Sequence, residues 1–140
     1  MLEPRKIKLM KHPEFTLQKQ VCTYLRVQHK DVLFMSDTIA SVKRTEAQAT
    51  RNASIQKRGF KTPDLIIFAP RGIYHGLFIE LKTKTPYKKD GTLLENAHLK
   101  AQEETIKNLR NLGYYADFKW ELEEVIKLID WYLKLDGNEV

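Results

Sequence analysis

Two acidic residues and a lysine stand at the ends of neighbouring apolar runs and could together form a hydrolytic metal site. Asp64 opens the run 65–68, and Glu80 and Lys82 close the run Leu77–Leu81. Carboxylate oxygens are hard ligands of the kind that Mg²⁺ prefers. An ion held by them can polarise a phosphate and lower the pKa of a bound water. These residue types therefore suit metal-assisted hydrolysis at phosphorus.

The two runs must pair if the three groups are to meet. Side chains alternate along a strand, so Glu80 and Lys82 project to one side and Leu81 to the other. Residues 69–72 contain a proline followed by a glycine, which is typical of a turn and predicts an antiparallel hairpin. In that hairpin Asp64 lies near Glu80. Two carboxylates so close repel each other unless a cation offsets their charge.

An acid-x-Lys triplet is weak evidence by itself. With 18 acidic residues in 140, about two such triplets are expected by chance. The second one, Asp117 to Lys119, has no acid at the head of a paired strand, and we interpret it as the chance match. For Glu80 and Lys82 the alternative is an ion pair that solubilises a strand edge. Asp64 and the predicted strand pair favour the metal site.

The composition indicates one globular domain with excess positive charge. The chain has 140 residues, is 42% apolar and 30% charged, and carries a formal net charge of +6, a balance typical of a single domain. Lysine and arginine gain free energy by displacing counterions from phosphates, so the charge favours a polyanionic partner. Basic residues crowd the segment before Pro63, whereas acidic residues collect near the C-terminus. This distribution fits a protein that docks DNA on one face.

Cysteine usage and the N-terminal segment predict a cytoplasmic protein. The one cysteine, Cys22, cannot form an intramolecular disulfide, and its place in an apolar-periodic stretch predicts burial. Residues 1–11 lack the apolar segment of a signal peptide, and no run of about 20 apolar residues occurs. We expect neither export nor membrane insertion.

The order of elements predicts an α/β fold. Apolar residues recur at helical spacing in segments 14–30, 97–111 and 121–133. Short apolar runs predict strands at 32–35, 65–68, 77–81 and 114–118, with a polar loop at 84–96. For the basic segment 37–61 a helix, a mobile loop and a segment ordered only on DNA all remain open. We expect a mixed β-sheet flanked by α-helices, in a single domain over residues 1–140.

Segments 62–68, TPDLIIF, and 76–84, GLFIELKTK, resemble the PD-(D/E)XK nuclease motif in its virus-type replication-repair form, the VRR-NUC domain. That form is also similar in having an early helix with an acidic residue, a glutamine on the helix after the lysine strand, and a strand begun by Gly-Tyr. Glu14, Gln102 and Gly113-Tyr114 match these features. The resemblance covers residues 14–133 and implies a restriction-endonuclease-like core.

The resemblance also implies roles for the motif residues. Asp64 and Glu80 would bind Mg²⁺ or Mn²⁺, with the backbone carbonyl of Leu81 as a further ligand. Lys82 would orient or help deprotonate the attacking water and stabilise the charge that develops on phosphorus.

Two further residues carry an alternative structural interpretation. Gln102 would reach the site from its helix, but a glutamine at this position could equally be a hydrogen-bonded residue at the core margin. Glu14 would make a metal-water or indirect contact, although the helix dipole alone favours an acid at a helix start.

Stand-alone members of the family resemble Holliday junction resolvases and act as homodimers. The resemblance therefore implies a homodimeric, structure-selective endonuclease on branched DNA, from a phage or a mobile element. A restriction-type or nicking endonuclease of the same fold and a DNA-binding module without catalysis are the alternatives. Six basic residues are the candidate DNA contacts: Lys57, Arg58, Lys61, Lys84, Lys88 and Lys89.

Overall fold

The computed structural model describes residues 12–36 and 44–137. These ranges contain four helices and four strands. In chain order the elements are α1 (Pro13–Gln28), β1 (Phe34–Ser36), α2 (Glu46–Ile55), β2 (Leu65–Ile67), β3 (Leu77–Leu81), α3 (Ala97–Asn111), β4 (Tyr115–Lys119) and α4 (Leu122–Lys134).

The strands form one mixed sheet in the order β1-β2-β3-β4. β1 with β2 and β2 with β3 are antiparallel, whereas β3 and β4 are parallel and are connected through α3. The predicted hairpin and the predicted mixed sheet are both confirmed. Gly113, with φ of +94°, ends the α3 region and lets the chain turn into β4.

Helices pack on both faces of the sheet, because successive side chains of β3 point to opposite faces. Leu77, Ile79 and Leu81 pack in a core with α1 and α4, a core that also holds the buried Cys22. Phe78 faces the other way, into a smaller core built on α3. No helix of the described ranges is long and apolar enough to span a bilayer.

The basic segment 37–61, for which the sequence allowed three alternatives, contains a helix in its described part. α2 begins with a capping box, in which Thr45 Oγ1 accepts from the Gln48 N–H and the Gln48 side chain accepts from the Thr45 N–H. None of its residues is buried, so it has no apolar periodicity from which a helix could be predicted. Residues 37–43 of the segment lie outside the described ranges.

The loop at 84–96, predicted as polar, is partly anchored to the core. A bridge joins Tyr87 to Leu93, and both pack against the α3 core beside Trp120. Lys88 and Lys89 occupy the exposed tip of this small hairpin. The loop therefore presents its lysines from a fixed base.

Candidate active site

The β2–β3 hairpin brings Asp64 and Glu80 together. Leu65 pairs with Ile79, and extending that register by one place puts Asp64 opposite Glu80. Directly opposed residues of an antiparallel pair project from the same face. The two carboxyl groups lie close enough for each to shift the pKa of the other. This is the juxtaposition that the hairpin predicted.

Asp64 is fixed by bonds to three neighbouring elements. Its Oδ2 accepts a 2.8 Å hydrogen bond from the Leu81 N–H on β3. Its main-chain carbonyl accepts from Ser36 Oγ of β1 at 2.7 Å and from Gln18 Nε2 of α1 at 3.4 Å. The carboxylate is thus positioned at both its side chain and its backbone.

Pro63 affects the backbone pairing of Leu81 at the end of the hairpin. The same register places Pro63 opposite Leu81, and proline has no N–H to give to the Leu81 carbonyl. The Leu81 N–H donates to the Asp64 side chain. Pro63 therefore offers no backbone donor to the Leu81 carbonyl, the group that the family resemblance implies as a further ligand.

Glu80 is buried and held from the next helix. Its side chain is 5% exposed, and Oε1 accepts a 2.6 Å hydrogen bond from Gln102 Nε2. Gln102 is itself 7% exposed. Its own Oε1 is buried and lacks a hydrogen-bond partner within the described part of the chain. Buried amide oxygens are nearly always paired, so this acceptor marks a place for a bound water or another donor.

Burial and mutual repulsion make the carboxyl pair hold protons. Desolvation, followed by the charge of Asp64, raises the pKa of Glu80 from 4.5 to about 9. Desolvation likewise raises the pKa of Asp64, opposed by the Leu81 N–H. In the absence of a cation, the pair therefore retains a proton at neutral pH.

Two charged residues act on this pair from nearby. Lys82 lowers the pKa of both carboxyls, and Glu14 raises both. The Lys82 main-chain N–H donates to the Lys119 carbonyl at 2.8 Å, which continues the β3–β4 pairing and fixes the backbone of the half-buried lysine. Glu14 is exposed in the first turn of α1. Of the five predicted catalytic residues, Asp64 and Glu80 are adjacent and Gln102 bonds Glu80. The other two, Lys82 and Glu14, shift the pKa values of both carboxyls through their charges.

The donor set suits a hard divalent cation. Among the residues described, no group of three or more His, Cys, Asp or Glu side chains could hold a metal. The side chains offer two carboxylates, and the remaining ligands would be the Leu81 carbonyl, water and substrate oxygens. Mg²⁺ takes such ligands and usually keeps several waters. A cation would also relieve the repulsion that raises the pKa of Glu80.

Sequence reasoning missed Gln18 and Ser36. Gln18 Nε2 donates to Ser36 Oγ at 2.6 Å, and both donate to the Asp64 carbonyl. Gln18 is buried beside Leu17 and one turn before Cys22. A polar residue on the buried face of a helix was the available signal, because such a group needs a partner.

The comparisons with known proteins agree with this geometry. A solved structure titled "VRR_NUC domain protein" is 28% identical, with a TM-score of 0.52, and the match covers 88% of this chain and 93% of that one. Over most of its length this chain is similar to a VRR-NUC domain. No family model matches it, and neither does any curated protein. The expected restriction-endonuclease-like α/β fold is confirmed.

The six basic residues predicted as DNA contacts fall in two exposed groups. Lys57, Arg58 and Lys61 follow α2 and lead into the site, whereas Lys84, Lys88 and Lys89 lie on the anchored loop beyond β3. The chain therefore carries exposed cations immediately before Asp64 and soon after Lys82.

Proposed function

We propose that this nuclease domain is a metal-dependent DNA endonuclease that hydrolyses phosphodiester bonds, prefers branched DNA such as four-way junctions, and works as a homodimer in the cytoplasm. The observation that carries the proposal is the buried Asp64–Glu80 pair with Lys82 beside it. Two carboxyl groups buried side by side destabilise a fold when both are ionised, and strongly perturbed carboxyls of this kind cluster at functional sites.

The residues of the site have separable roles in the proposed reaction. Water attacks phosphorus, one P–O ester bond breaks, and the displaced oxygen leaves with a proton. Asp64, Glu80 and the Leu81 carbonyl would hold Mg²⁺ or Mn²⁺, which when bound polarises the phosphate and acidifies water. Lys82 orients the attacking water and stabilises the added negative charge. Gln102 keeps the Glu80 carboxylate in place.

The preference for branched DNA and the homodimer rest on the family resemblance and on an uncovered apolar surface. Leu33, Met35 and Phe68 lie on one face of the sheet near its β1 edge and are 76%, 47% and 54% exposed. Exposed apolar patches mark interaction sites. A second copy would cover this face and supply a second active site for the second strand. The six exposed basic residues named above would contact phosphates.

Cleavage of labelled DNA by matched variants tests the proposal. Asp64→Asn, Glu80→Gln and Lys82→Ala should each slow cleavage of a four-way junction about a hundredfold or more, because each removes a group acting on the reacting atoms. Asp117→Asn and Lys119→Ala alter the other acid-x-Lys triplet and should cut at the wild-type rate. EDTA should abolish all cleavage. The mass in solution should be twice the chain mass of 16.5 kDa.

Each rival function gives a different result in the same assay. Equal rates on linear and four-way DNA would replace the junction preference with a restriction-type or nicking activity. DNA binding without cleavage in either Mg²⁺ or Mn²⁺ would indicate a binding module. A Glu80→Gln protein that cuts as fast as the wild type would remove the assigned site.

A further inference from the structure

Helix α2 is a helix that the rest of the described fold does not cover. None of its ten residues is buried, and Ile55 at its end is 79% exposed. Isolated helices shorter than about 12–15 residues are only marginally stable in water, and most helices in proteins depend on a packed face. Its capping box supplies local stability but no such face. Within the described residues nothing else supplies such a face.

The charge around α2 favours a polyanion as the partner that docks on this helix. Residues 44–61 contain one acidic residue, Glu46, and five exposed basic ones: Arg44, Arg51, Lys57, Arg58 and Lys61. Within the described residues none of these five forms an ion pair, whereas cations on α3, β4 and α4 do. Unpaired cations on one segment raise the local potential and attract a polyanion.

The root of this segment lies beside the proposed catalytic site. The Lys61 main-chain N–H donates to Thr105 Oγ1 on α3 at 3.1 Å. Gln102, which holds Glu80, lies nearly one turn earlier on the same helix. Three residues after Lys61 the chain reaches Asp64. Whatever docks on α2 is thereby led toward the two carboxylates.

The surface of α2 permits close approach to a nucleic-acid backbone. Between Glu46 and Ile55 most side chains are small: Ala47, Ala49, Thr50, Ala53 and Ser54. Small side chains leave the helix narrow, and the long Arg51 side chain can reach phosphates on either side. Phosphate contacts of this type fix the position of DNA without determining its sequence.

We propose that residues 44–61, α2 with the basic segments flanking it, form a docking arm that binds the sugar-phosphate backbone of DNA and guides it to Asp64. The inference rests on the proposed nuclease function for its substrate. It adds a binding element, in which Arg44 and Arg51 act with the cations that follow the helix. Docking on DNA also supplies the covered face that α2 otherwise lacks.

Charge reversal with a matched control tests the arm. The triple variant Arg51→Glu, Lys57→Glu and Arg58→Glu is compared with Lys30→Glu, Lys127→Glu and Lys134→Glu, which makes the same charge change at exposed residues on α4 and after α1. Binding of fluorescent four-way and duplex DNA is measured in EDTA over a range of salt concentrations. The solution mass and melting temperature of each protein are recorded alongside.

The arm predicts a specific loss of DNA affinity. The arm variant should bind about tenfold more weakly than the control variant, and its affinity should depend less steeply on salt because fewer counterions are released. The charge-conserving variant Arg51→Lys, Lys57→Arg and Arg58→Lys should keep the wild-type affinity. Melting temperatures should stay together, since all the altered side chains are exposed.

Other outcomes separate this inference from the proposed function. Equal DNA affinity of the arm and control variants overturns the arm, even if the wild type cuts DNA. A halved mass with DNA affinity equal to the control overturns it too and assigns α2 to contact with a second copy. If the wild type binds DNA through the arm but cleaves none, the nuclease proposal fails and the arm stands.

Discussion

Glu80 shows how one residue's environment sets its chemistry. Burial and the adjacent Asp64 carboxyl raise its pKa to about 9, while Gln102 donates to it at 2.6 Å. The carboxylate is therefore held in position but costs free energy when ionised. A divalent cation removes that cost, since it supplies positive charge where both carboxyls need it. The same residue would otherwise be a poor choice for a strand core.

Gln18 is expected to act as a positioning residue through the Asp64 main chain. Gln18→Leu removes the donor to the Asp64 carbonyl and to Ser36 Oγ. Residues that orient a metal ligand typically contribute about 10 to 100-fold to activity. We expect cleavage to fall about tenfold, with a higher Mn²⁺ concentration needed for half-maximal rate. Lys82→Ala, by contrast, should lower the rate without moving that concentration.

The control for this prediction lies on the same helix. Gln20 is exposed on α1, so Gln20→Leu makes the same chemical change without touching Asp64. Wild-type behaviour of Gln18→Leu in both rate and metal dependence would show that the bond to the Asp64 carbonyl has no part in activity.

At the scale of elements, β4 is the outer strand of the sheet in the described part of the chain, and this position gives Asp117 of the second acid-x-Lys triplet a structural role. Tyr115 and Lys119 bond toward β3, so the backbone groups of Ala116 and Phe118 face outward. Arg110 Nε donates to the Ala116 carbonyl at 2.8 Å, and the Phe118 N–H donates to Asp117 Oδ1 at 2.8 Å. Side chains thus occupy edge groups that could pair with another chain.

Removing these side-chain caps should promote association through β4. The double variant Arg110→Ala and Asp117→Ala frees the outward carbonyl and N–H, and light scattering should show increased self-association over hours at high concentration. Glu123→Ala and Lys127→Ala, at exposed α4 positions, serve as the control. A double variant that scatters no more than its control would show that the caps do not protect the edge.

The elements that the sequence could predict are those whose buried residues recur at the regular spacing of a strand or a helix. β3 and α3 have the predicted bounds, because their apolar spacing reports packing against the sheet. The first helix ends at Gln28 rather than at residue 30, and Val27 is 57% exposed. Helix ends depend on local caps more than on apolar spacing.

What the sequence left undetermined depended on contacts between distant segments. Asp64, Glu80 and Lys82 could be placed together because a short hairpin fixes their register. Gln18 and Ser36 meet Asp64 across three elements, and no local pattern encodes that meeting. α2 was left open because its residues face solvent.

At the scale of the whole molecule, the fold buries two carboxyl groups side by side and carries exposed basic residues on the segments before and after them. In EDTA the raised pKa values of Asp64 and Glu80 make stability depend on pH. Glu80 holds a proton in the folded state between pH 4.5 and about 9 that the unfolded chain releases. Stability is therefore highest below the unfolded pKa and is lost as pH rises toward the folded one, by at most about 1.4 kcal/mol per pH unit for one proton.

The most direct test of the cation site is the free energy of unfolding from pH 5 to 9, in EDTA and in Mn²⁺. We expect the EDTA curve to fall as pH rises, and Mn²⁺ to restore stability most strongly at the alkaline end. The double variant Asp64→Asn and Glu80→Gln should lose both the slope and the response to Mn²⁺. A wild-type protein whose stability is the same with and without Mn²⁺ throughout this range would contradict a cation held by these two carboxylates.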